Sequence, residues 1–257
     1  MSAKAAGLEG LAADALQQQL EVEAVAIYRE DVELCDAIGR HGASLIKEGA
    51  TVLTHCNTGS LATAGRGTAL GAIYTAFFEE AKKIKVINTE TRPLLQGARL
   101  TSYELVTAGI PTTLITDSMA AMVMKQRRVD LVMVGADRIA RNGDSANKIG
   151  TYLKALAARD NGIPYYVALP TTSIDHGIAD GIKEIPVELR SGDEVTTVSG
   201  FAEGRIQQVR ICPENTVAMN WSFDITPARI ITGLITEKGV CRASEEDITD
   251  LISDKQK

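Results

Sequence analysis

The chain has 257 residues, 45% of them hydrophobic and 23% charged, so it can bury a sizeable core and a disordered chain is excluded. Its net charge of −6, from 27 basic and 33 acidic residues, does not favour non-specific binding to nucleic acid or to anionic membranes. Its apolar runs are strand-sized and far shorter than the ~18 residues that a membrane span needs.

The N-terminus and the cysteines indicate a cytoplasmic protein. The first residues contain no hydrophobic signal region, so export is not expected. Cys35, Cys56, Cys212 and Cys241 show no C-x-x-C spacing, which favours free thiols in a reducing compartment over a disulfide framework or a zinc site. We therefore predict no metal site, no nucleic-acid partner and no membrane partner.

The first part of the chain has a helical pattern. Residues 11–46 contain no proline, and no glycine before Gly39. Apolar residues recur at mostly helical spacing, namely Leu20, Ala24, Ile27, Tyr28, Leu34 and Ile38. The pattern predicts two helices or one broken helix, within an N-terminal helical segment over residues 1–48.

After Gly49 short β-branched runs recur at intervals of roughly 20 to 35 residues, as in βα units. The predicted strands are Thr51–Thr54, Ile84–Ile87, Thr113–Thr116, Leu131–Val134 and Tyr165–Leu169. The helix-like segments between them are Ala69–Ala81, Arg99–Ala108, Ser118–Gln126 and Asn147–Arg159. Apolar runs without alternation are typical of a parallel sheet covered on both faces. The sequence therefore predicts an α/β fold with a Rossmann-like parallel-sheet domain over residues 49–257.

The last third of the chain has weaker patterns. Ile185–Leu189 suggests a late strand, residues 191–213 a loop-rich stretch, and Pro227–Thr232 before Gly233 a final helix. The run Ser173–His176 has the residue types of a catalytic triad. Since triad members normally come from separated segments, we interpret this run as a loop.

Two predicted strands end at groups that can do chemistry. Cys56 follows the strand at Thr51–Thr54, and Asp137 follows the strand at Leu131–Val134. The carboxyl ends of parallel strands form the ligand-binding edge of an open sheet, so both are candidate catalytic residues. Each also has a structural interpretation, Cys56 as a core thiol and Asp137 as a turn or capping residue. His55 is an improbable partner for Cys56, because adjacent strand residues point to opposite faces.

The glycine-rich run Gly65–Gly71 could be a cofactor loop. Its spacing has one residue too many for G-x-G-x-x-G, and the chain contains no G-x-x-x-x-G-K-[ST] motif. Glu90 stands where a ribose-binding acid could lie, but the fingerprint is broken. We therefore predict glycines that allow tight turns and close packing, and no nucleotide cofactor.

Polar and basic residues that could hold an anion lie near the same strand ends. Asn147 and Lys148 are predicted at the start of a helix, where backbone N–H groups favour phosphate. Arg92, Gln96 and Arg99 follow another strand end and add hydrogen-bond donors, although they could also form a solvated face. These five residues are the candidate substrate-binding residues.

Several long motifs carry a family resemblance. They are Thr54-His55-Cys56-Asn57, residues 90–101 (ETRPLLQGARLT), Thr116-Asp117-Ser118-Met119, Gly135-Ala136-Asp137-Arg138-Ile139, Asn147-Lys148-Ile149-Gly150-Thr151, Asp224-Ile225-Thr226-Pro227 and Ile231-Thr232-Gly233. Together they resemble the 5-methylthioribose-1-phosphate isomerase family of methionine salvage, which is related to the regulatory subunits of eukaryotic initiation factor 2B. The resemblance extends from about Glu23 to Val240.

This resemblance implies conversion of the aldose 5-methylthioribose 1-phosphate into the ketose 5-methylthioribulose 1-phosphate, without a cofactor. Phosphate on C1 blocks spontaneous ring opening, so an acid must protonate the ring oxygen as the C1–O bond breaks. Asp137 is the expected acid, with a pKa raised by burial. Hydrogen then moves between C2 and C1, either through a Cys56 thiolate base or as a hydride shift that Cys56 assists; the sequence leaves both open.

The resemblance also implies that Gln96, Asn147 and Lys148 hold the substrate, with Lys148 opposing the phosphate or developing negative charge. A symmetric homodimer is expected. Family enzymes carry an upstream Arg-Gly-rich loop and a further arginine that help hold the sugar phosphate. Residues 1–29 contain no Arg-Gly pair, so we expect weak phosphate binding unless Arg92, Arg99 and Lys148 compensate.

Two alternatives follow from the same resemblance. A related isomerase acting on ribose 1,5-bisphosphate or 5-deoxyribose 1-phosphate would keep Cys56 and Asp137 and change the substrate contacts. A non-catalytic regulatory subunit of the initiation-factor branch would be a binding protein instead. The presence of both Cys56 and Asp137 argues against this second alternative, because binding alone requires neither.

Overall fold

The computed structural model describes residues 2–8, 10 and 12–253. Within these residues the helices are α1 (Ser2–Ala6), α2 (Ala13–Ala43), α3 (Ala69–Tyr74), α4 (Ser102–Thr107), α5 (Ala120–Lys125), α6 (Thr151–Asp160), α7 (Gly181–Glu184), α8 (Asp193–Thr196) and α9 (Glu245–Ile252). A π-helical turn extends α3 over Thr75–Glu79, and another precedes α4 over Gly97–Thr101.

The strands are β1 (Thr51–Thr54), β2 (Lys85–Thr89), β3 (Thr112–Ile115), β4 (Leu131–Val134), β5 (Arg138–Ala140), β6 (Ser145–Lys148), β7 (Tyr165–Ala168), β8 (Ile174–Asp175), β9 (Thr197–Ala202), β10 (Arg205–Arg210), β11 (Phe223–Thr226), β12 (Gly233–Thr236) and β13 (Gly239–Cys241). The predicted bounds of β1 and β4 are confirmed, and those of β2, β3 and β7 differ by one or two residues at an end.

Seven strands of the described part form the main sheet, in the order β13-β12-β7-β4-β1-β2-β3. All neighbours are parallel except β12 and β13, which pair antiparallel. β1 is central, because Val52 pairs with Val86 of β2 and with Leu131 of β4. The chain order reverses beside β1, which is the doubly wound arrangement of a Rossmann-like sheet. The predicted α/β fold is confirmed.

Alternating strand residues supply two hydrophobic cores, one on each face of the sheet. Leu53 packs in one core with residues of α5, α6 and α9. Its neighbour Val52 packs in the other core with residues of α2, α3 and α4. Because both faces are covered, each strand is apolar throughout, which explains why the sequence shows unbroken runs instead of alternation.

The helical pattern of residues 11–46 is confirmed, but it forms one unbroken 31-residue helix, α2, and not two helices or a broken one. The short helix α1 precedes it. The end of α2 joins the sheet core through Ile38, which is fully buried. Gly42 allows this close approach, since a Cβ there would lie 2.5 Å from the Cβ of Ala72 on α3. Leu11 and the chain ends included in the predicted boundaries lie outside the described residues. The division at residues 48 and 49 stays a prediction.

A second sheet stands beside the carboxyl edge of the first, with strand order β11-β6-β5-β8. Here one prediction was wrong: Asn147 and Lys148 lie on β6 and not at the start of a helix. They pair with Asp224 and Phe223 of β11, and α6 begins only after Gly150. Gly150 has φ +97°, which ends the strand and turns the chain into the helix.

The weaker predictions for the last third were also wrong. Ile185–Leu189 is not a strand and makes only an isolated bridge between Leu189 and Trp221. Residues 191–213 contain α8 and the β9–β10 hairpin, whose turn has Glu203 at φ 52° and Gly204 at φ 75°. This hairpin has exposed apolar side chains, so no buried face produced a recognisable pattern.

The predicted final helix at Pro227–Thr232 is a single 3₁₀ turn over Ala228–Ile230, followed by strand β12. The apolar residues around Gly233 are buried strand residues of the sheet. The last described helix is α9, whose N-cap Ser244 accepts a hydrogen bond from the backbone N–H of Asp247. Ser173–His176, interpreted as a loop, includes the short strand β8.

A search of the described ranges found no helix that is both long and apolar enough to cross a membrane.

Candidate active site

The carboxyl ends of β1, β2, β3 and β4 meet at one edge of the main sheet. Cys56 follows β1, Thr91 follows β2, Asp117 follows β3 and Asp137 follows β4. The central position of β1 places the turn containing Cys56 between the turns that follow β2 and β4. The structure thus brings the predicted thiol and carboxyl to the same edge.

Cys56, Asp137, Asn147 and Lys148 line a single cavity of about 280 Å³. Four of the predicted site residues are therefore brought together. The sequence interpretation missed other polar residues that line the same cavity: Asp31, Thr58, Thr68 and Ser173. Asp31 comes from α2 and had no recognisable signal, because acidic residues on the exposed face of a helix are common.

Cys56 has a left-handed backbone, with φ 64°. Its N–H donates to Oγ1 of Thr91 at 2.9 Å, and its carbonyl accepts the hydroxyl of Thr101 at 2.6 Å. Burial, with a smaller contribution from Asp137, raises the pKa of the Cys56 thiol to about 11, although the backbone N–H of Asn57 and the charge of Lys148 act to lower it. The thiol is consequently protonated near neutral pH.

Asp137 lies where β4 passes into β5. Its backbone N–H donates to the carbonyl of Ala146 at 2.9 Å, which fixes the turn against β6. Burial raises the pKa of the Asp137 carboxyl above its usual range, and Lys148 lowers it in part. A carboxyl in this environment keeps its proton to higher pH and can serve as a general acid.

Asn147 and Lys148 are held by the β6–β11 pair. The side-chain amide of Asn147 donates to the carbonyl of Gly135 at 2.7 Å, so it also fixes the chain just before Asp137. The ammonium of Lys148 lies 4.3 Å from the ring centroid of Phe223. Lys148 brings positive charge to a cavity lined by Asp31 and Asp137.

The other predicted binding residues are not among those that line this cavity. The Arg92 guanidinium donates to the carbonyl of Val195 at 2.8 Å, and the Arg99 guanidinium donates to the carbonyl of Ser199 at 2.7 Å. Both arginines thus attach the α8–β9 segment to the turn after β2. Oε1 of Gln96 is buried without a hydrogen-bond partner in the described part of the chain. Their substrate-binding roles stay predictions.

His55 is fully buried and bonds away from Cys56. Its Nε2 lies 2.9 Å from the carbonyl of Ile149, which can only accept, so Nε2 carries the proton. Its Nδ1 then accepts the hydroxyl of Thr89 at 2.5 Å. Burial, with Lys154 nearby, lowers the pKa of His55 to about 3, so the ring is neutral. The ring makes the contacts of a structural residue and does not pair with the thiol.

The glycine-rich run Gly65–Gly71 packs tightly against the loop that follows Cys56. Gly67 has φ 93°, and a Cβ there would clash with the carbonyl of Thr58. The backbone N–H of Thr68 donates to the same carbonyl at 2.9 Å. This geometry fits the packing interpretation of the glycines.

The fold and the site define a Rossmann-like α/β protein with a thiol, a carboxyl and an ammonium around one small cavity. Comparison with known proteins adds the family. The model of the initiation factor 2 subunit family matches residues 2–243, and the chain belongs to this family.

The chain is similar to methylthioribose-1-phosphate isomerase of Geobacter sulfurreducens, with 55% identity over 227 residues. This match covers 88% of the chain and 63% of the relative. Methylthioribose-1-phosphate isomerase of Geotalea uraniireducens is 53% identical, and the match covers 91% of the chain and 64% of that relative. The chain therefore spans less than two thirds of the length of these curated relatives. The sequence resemblance to the isomerase family is confirmed.

Two solved structures are similar over nearly the whole chain. The structure of 5-methylthioribose 1-phosphate isomerase from Pyrococcus horikoshii OT3 has a TM-score of 0.84 and 40% identity, covering 96% of this chain and 66% of that one. Subunit delta of the translation initiation factor eIF-2B from A. fulgidus has a TM-score of 0.85 and 41% identity, covering 97% of this chain and 71% of that one. Structural likeness alone therefore does not favour the isomerase over the initiation factor.

Proposed function

We propose that the chain carries the catalytic site of an aldose–ketose isomerase that converts 5-methylthioribose 1-phosphate into 5-methylthioribulose 1-phosphate. The observation that carries this proposal is the single cavity lined by Cys56, Asp137 and Lys148. Curated relatives at 55% and 53% identity, named methylthioribose-1-phosphate isomerase, support the choice of reaction.

In the first step, the protonated Asp137 carboxyl gives its proton to the ring oxygen of the substrate. The bond between C1 and the ring oxygen breaks, and positive charge develops at C1. The raised pKa of Asp137 supports this role, because burial keeps the carboxyl protonated closer to neutral pH. General acids of this kind typically contribute ~10²–10⁴-fold to the rate.

In the second step, hydrogen moves from C2 to C1, and the C2 hydroxyl loses its proton to the Asp137 carboxylate that the first step left behind. This leaves a ketone at C2 and restores the protonated Asp137. Of the two routes, a hydride shift fits the site better than proton abstraction by a thiolate. Burial raises the pKa of Cys56 to about 11, so little thiolate is present near neutral pH. We propose that the neutral thiol of Cys56 lies next to the migrating hydrogen and provides a weakly polar surface there.

Lys148 is the proposed partner of the substrate phosphate or of negative charge in the transition state, since it is a cation that lines the cavity. Asn147 lines the same cavity and is the proposed partner of a sugar oxygen. Three further substrate contacts remain proposals: Gln96, Arg92 and Arg99. They can reach the ligand only if the turn after β2 or the α8–β9 segment moves towards the cavity.

A regulatory binding subunit is the second candidate function, because an initiation-factor subunit is as similar in structure as an isomerase. The two functions make different demands on the cavity. A binding subunit requires neither a thiol nor a protonated acid there, whereas the isomerase requires both. The joint presence of Cys56 and Asp137 favours the enzyme.

We also propose a homodimer in the cytoplasm. β3 is an edge strand of the main sheet, and apolar side chains are exposed around it: Tyr103, Val106, Leu114, Met119 and Met122. A symmetric pair that covers this edge would protect both an open strand and an apolar surface. Light scattering tests this, with a monomer at micromolar concentration counting against it and Met122→Glu expected to dissociate the pair.

The reaction is tested by incubating the purified chain with 5-methylthioribose 1-phosphate, ribose 1,5-bisphosphate and 5-deoxyribose 1-phosphate in parallel. NMR detection of a C2 ketone identifies the substrate among the three. Cys56→Ala and Asp137→Asn are the matched controls, with turnover expected to be strongly lowered. Absence of a ketone from all three sugars would overturn the isomerase assignment and favour the binding subunit.

A further inference from the structure

A largely buried polar cluster, of which only Asp117 is partly exposed, is hydrogen-bonded to the backbone of Cys56 and takes no part in the proposed chemistry. Its members are Asp117, Lys154, His55 and Thr91. Lys154 has no exposed side-chain surface, and its Nζ lies 3.4 Å from Oδ1 of Asp117. Lys154 is not among the cavity-lining residues, so its charge cannot be explained by contact with a substrate there. Burying an ammonium costs free energy unless it is paired and hydrogen-bonded. The burial of Lys154 therefore indicates a specific role.

The cluster acts on the turn that follows β2. Asp117 accepts the backbone N–H of Thr91 at 3.0 Å with one oxygen and the N–H of Arg92 at 2.7 Å with the other. Burial alone would raise the pKa of Asp117, but Lys154 and the N–H of Arg92 hold it below its usual value. Asp117 is therefore ionised and accepts hydrogen bonds from two successive backbone N–H groups of this turn.

Thr91 has φ 64°, a left-handed conformation that is unfavourable for a β-branched residue. In this conformation its Oγ1 accepts the N–H of Cys56, which has the same φ of 64°. Two uncommon backbone conformations are thus joined by one hydrogen bond of 2.9 Å. The side-chain hydroxyl of Thr91 also donates to the carbonyl of Thr89 at 3.2 Å, so its acceptor lone pairs face Cys56.

The same cluster reaches the strand end that carries Lys148. His55 bonds to the carbonyl of Ile149, the residue after Lys148, and its Nδ1 lies 3.7 Å from Oδ1 of Asp117. Gly150 leaves the room that Lys154 occupies, since a Cβ there would lie 2.9 Å from Nζ. The Asp117–Lys154 pair thus contacts the turn that holds Cys56 and, through His55, the strand end that carries Lys148.

We propose that the Asp117–Lys154 pair is a positioning device that holds Thr91 left-handed and, through its hydroxyl, sets the orientation of Cys56. Asp117 and Lys154 are positioning residues, because they touch neither the cavity nor a reacting atom. The consequence for turnover rests on the isomerase function proposed above. The effect on Cys56 itself does not, because the orientation and shielding of a thiol can be measured without any substrate.

The test compares Thr91→Val, which keeps the shape and removes the hydroxyl, with Thr91→Ser, which keeps the hydroxyl. Lys154→Met removes the ammonium and keeps most of the stem. Iodoacetamide alkylation is followed at pH 8 by mass spectrometry of the peptide that contains Cys56. We expect alkylation to be about tenfold faster in Thr91→Val and Lys154→Met, as for a thiol whose pKa falls by about one unit when the turn loosens. Thr91→Ser should react like the wild type.

Cys35 is the internal control, since it is buried on α2 and its thiol bonds to Asp31 of the same helix and not to the turn after β2. A merely structural role would loosen the whole molecule and accelerate Cys35 and Cys56 together. The proposal is overturned if Cys35 accelerates in parallel, or if both Thr91→Val and Lys154→Met alkylate Cys56 at the wild-type rate. Should one of these two variants fail to fold, the other decides.

Turnover separates this proposal from the function on which it rests. If the chain is an isomerase, Thr91→Val should lower kcat and leave KM nearly unchanged, because the substrate contacts are kept. Altered alkylation in a chain that makes no ketose would retain the positioning device and reject the isomerase. Wild-type alkylation rates in both variants of a chain that makes the ketose would reject the positioning device and retain the isomerase.

Discussion

The carboxylate of Glu104 accepts a hydrogen bond of 2.8 Å from the side-chain amide of Asn57, the residue that follows Cys56. Glu104 is nearly fully buried on α4, and its other oxygen accepts the backbone N–H and the hydroxyl of Ser60 at 2.8 and 2.7 Å. Gly59 leaves the space for this carboxylate, because a Cβ there would clash with it. Glu104 thus fixes the loop between Cys56 and the rest of the cavity wall.

We predict that Glu104→Ala lowers the free energy of unfolding by about 3 kcal/mol or more. The change removes charge-assisted hydrogen bonds, worth about 1.5–3 kcal/mol each, and leaves loop donors buried without a partner. Urea unfolding measures the loss. Tyr74→Phe is the control, since its hydroxyl lies 3.4 Å from Glu104 and its removal should cost less than about 1 kcal/mol. Equal losses in the two variants would contradict this role of the carboxylate.

Cys56→Ala and Asp137→Asn are each predicted to lower turnover by ~10²–10⁴-fold while the fold is kept. Both residues lie at the cavity, and neither side chain contributes a hydrogen bond to an element of the sheet in the described structure. Circular dichroism checks the fold, and NMR of the ketose product checks the rate. A near-wild-type rate in either variant would remove that residue from the proposed mechanism.

The sequence was sufficient to predict that Cys56 and Asp137 lie at the same edge of the sheet, because their positions depend on where two strands end. Leu131–Val134 and Thr51–Thr54 are short, wholly apolar or β-branched runs, and both were located to the residue. Once two parallel strands are known, their carboxyl ends must share an edge. The approach of Cys56 and Asp137 then follows from topology alone.

The same reasoning failed where partners are distant in sequence. Arg92 and Arg99 donate to carbonyls about one hundred positions away, on α8 and on β9 respectively. The β9–β10 hairpin has exposed apolar residues and gives no periodic signal in the sequence. The sequence predicts a helix at Asn147 because the pairing of β6 with β11 joins residues far apart in the chain and leaves no local signal for a strand. Lys154 lies within a helix-like segment of the sequence, and only the packing of α6 shows that it is buried.

The reactivity of Cys56 should report its charged neighbours. Because burial raises its pKa to about 11, iodoacetamide alkylation of Cys56 should accelerate about tenfold per pH unit from pH 7 and level off only near pH 11. Lys148 lowers this pKa, so Lys148→Met should shift the profile to higher pH. Asp137 raises it, so Asp137→Asn should shift the profile to lower pH. Shifts of the opposite sign would contradict the described electrostatics.

Asp224 should make stability depend on pH. Burial raises its pKa from 3.8 to about 6, although it accepts the backbone N–H groups of Gly150 and Tyr152 at 2.7 and 3.0 Å. Between these two pKa values the unfolded chain loses its proton first, so ionisation favours unfolding. Stability present below pH 4 should therefore fall as the pH rises through 6, by on the order of 2–3 kcal/mol.

Urea unfolding between pH 4 and 7 measures this change, and Asp224→Asn should flatten the dependence. Asp130→Asn is a suitable control, because Asp130 also accepts a backbone N–H, that of Thr51, at 2.7 Å but lies at the opposite end of the sheet. An unchanged slope in Asp224→Asn would assign the pH dependence to another group.

The last prediction concerns the cation that binds phosphate. Lys148 lines the cavity, whereas the Arg99 guanidinium is engaged with the carbonyl of Ser199. Lys148→Met should therefore weaken binding of 5-methylthioribose 1-phosphate by roughly 10–100-fold, since a hydrogen bond to a charged group is worth about 1.5–3 kcal/mol. Arg99→Met should change the affinity by less than about threefold. Isothermal titration calorimetry measures binding on the Asp137→Asn background, in which turnover is predicted to be ~10²–10⁴-fold slower. A larger loss of affinity in Arg99→Met than in Lys148→Met would show that Arg99 leaves the carbonyl of Ser199 on β9 and binds the phosphate. The cavity at Lys148 would then hold a different part of the sugar.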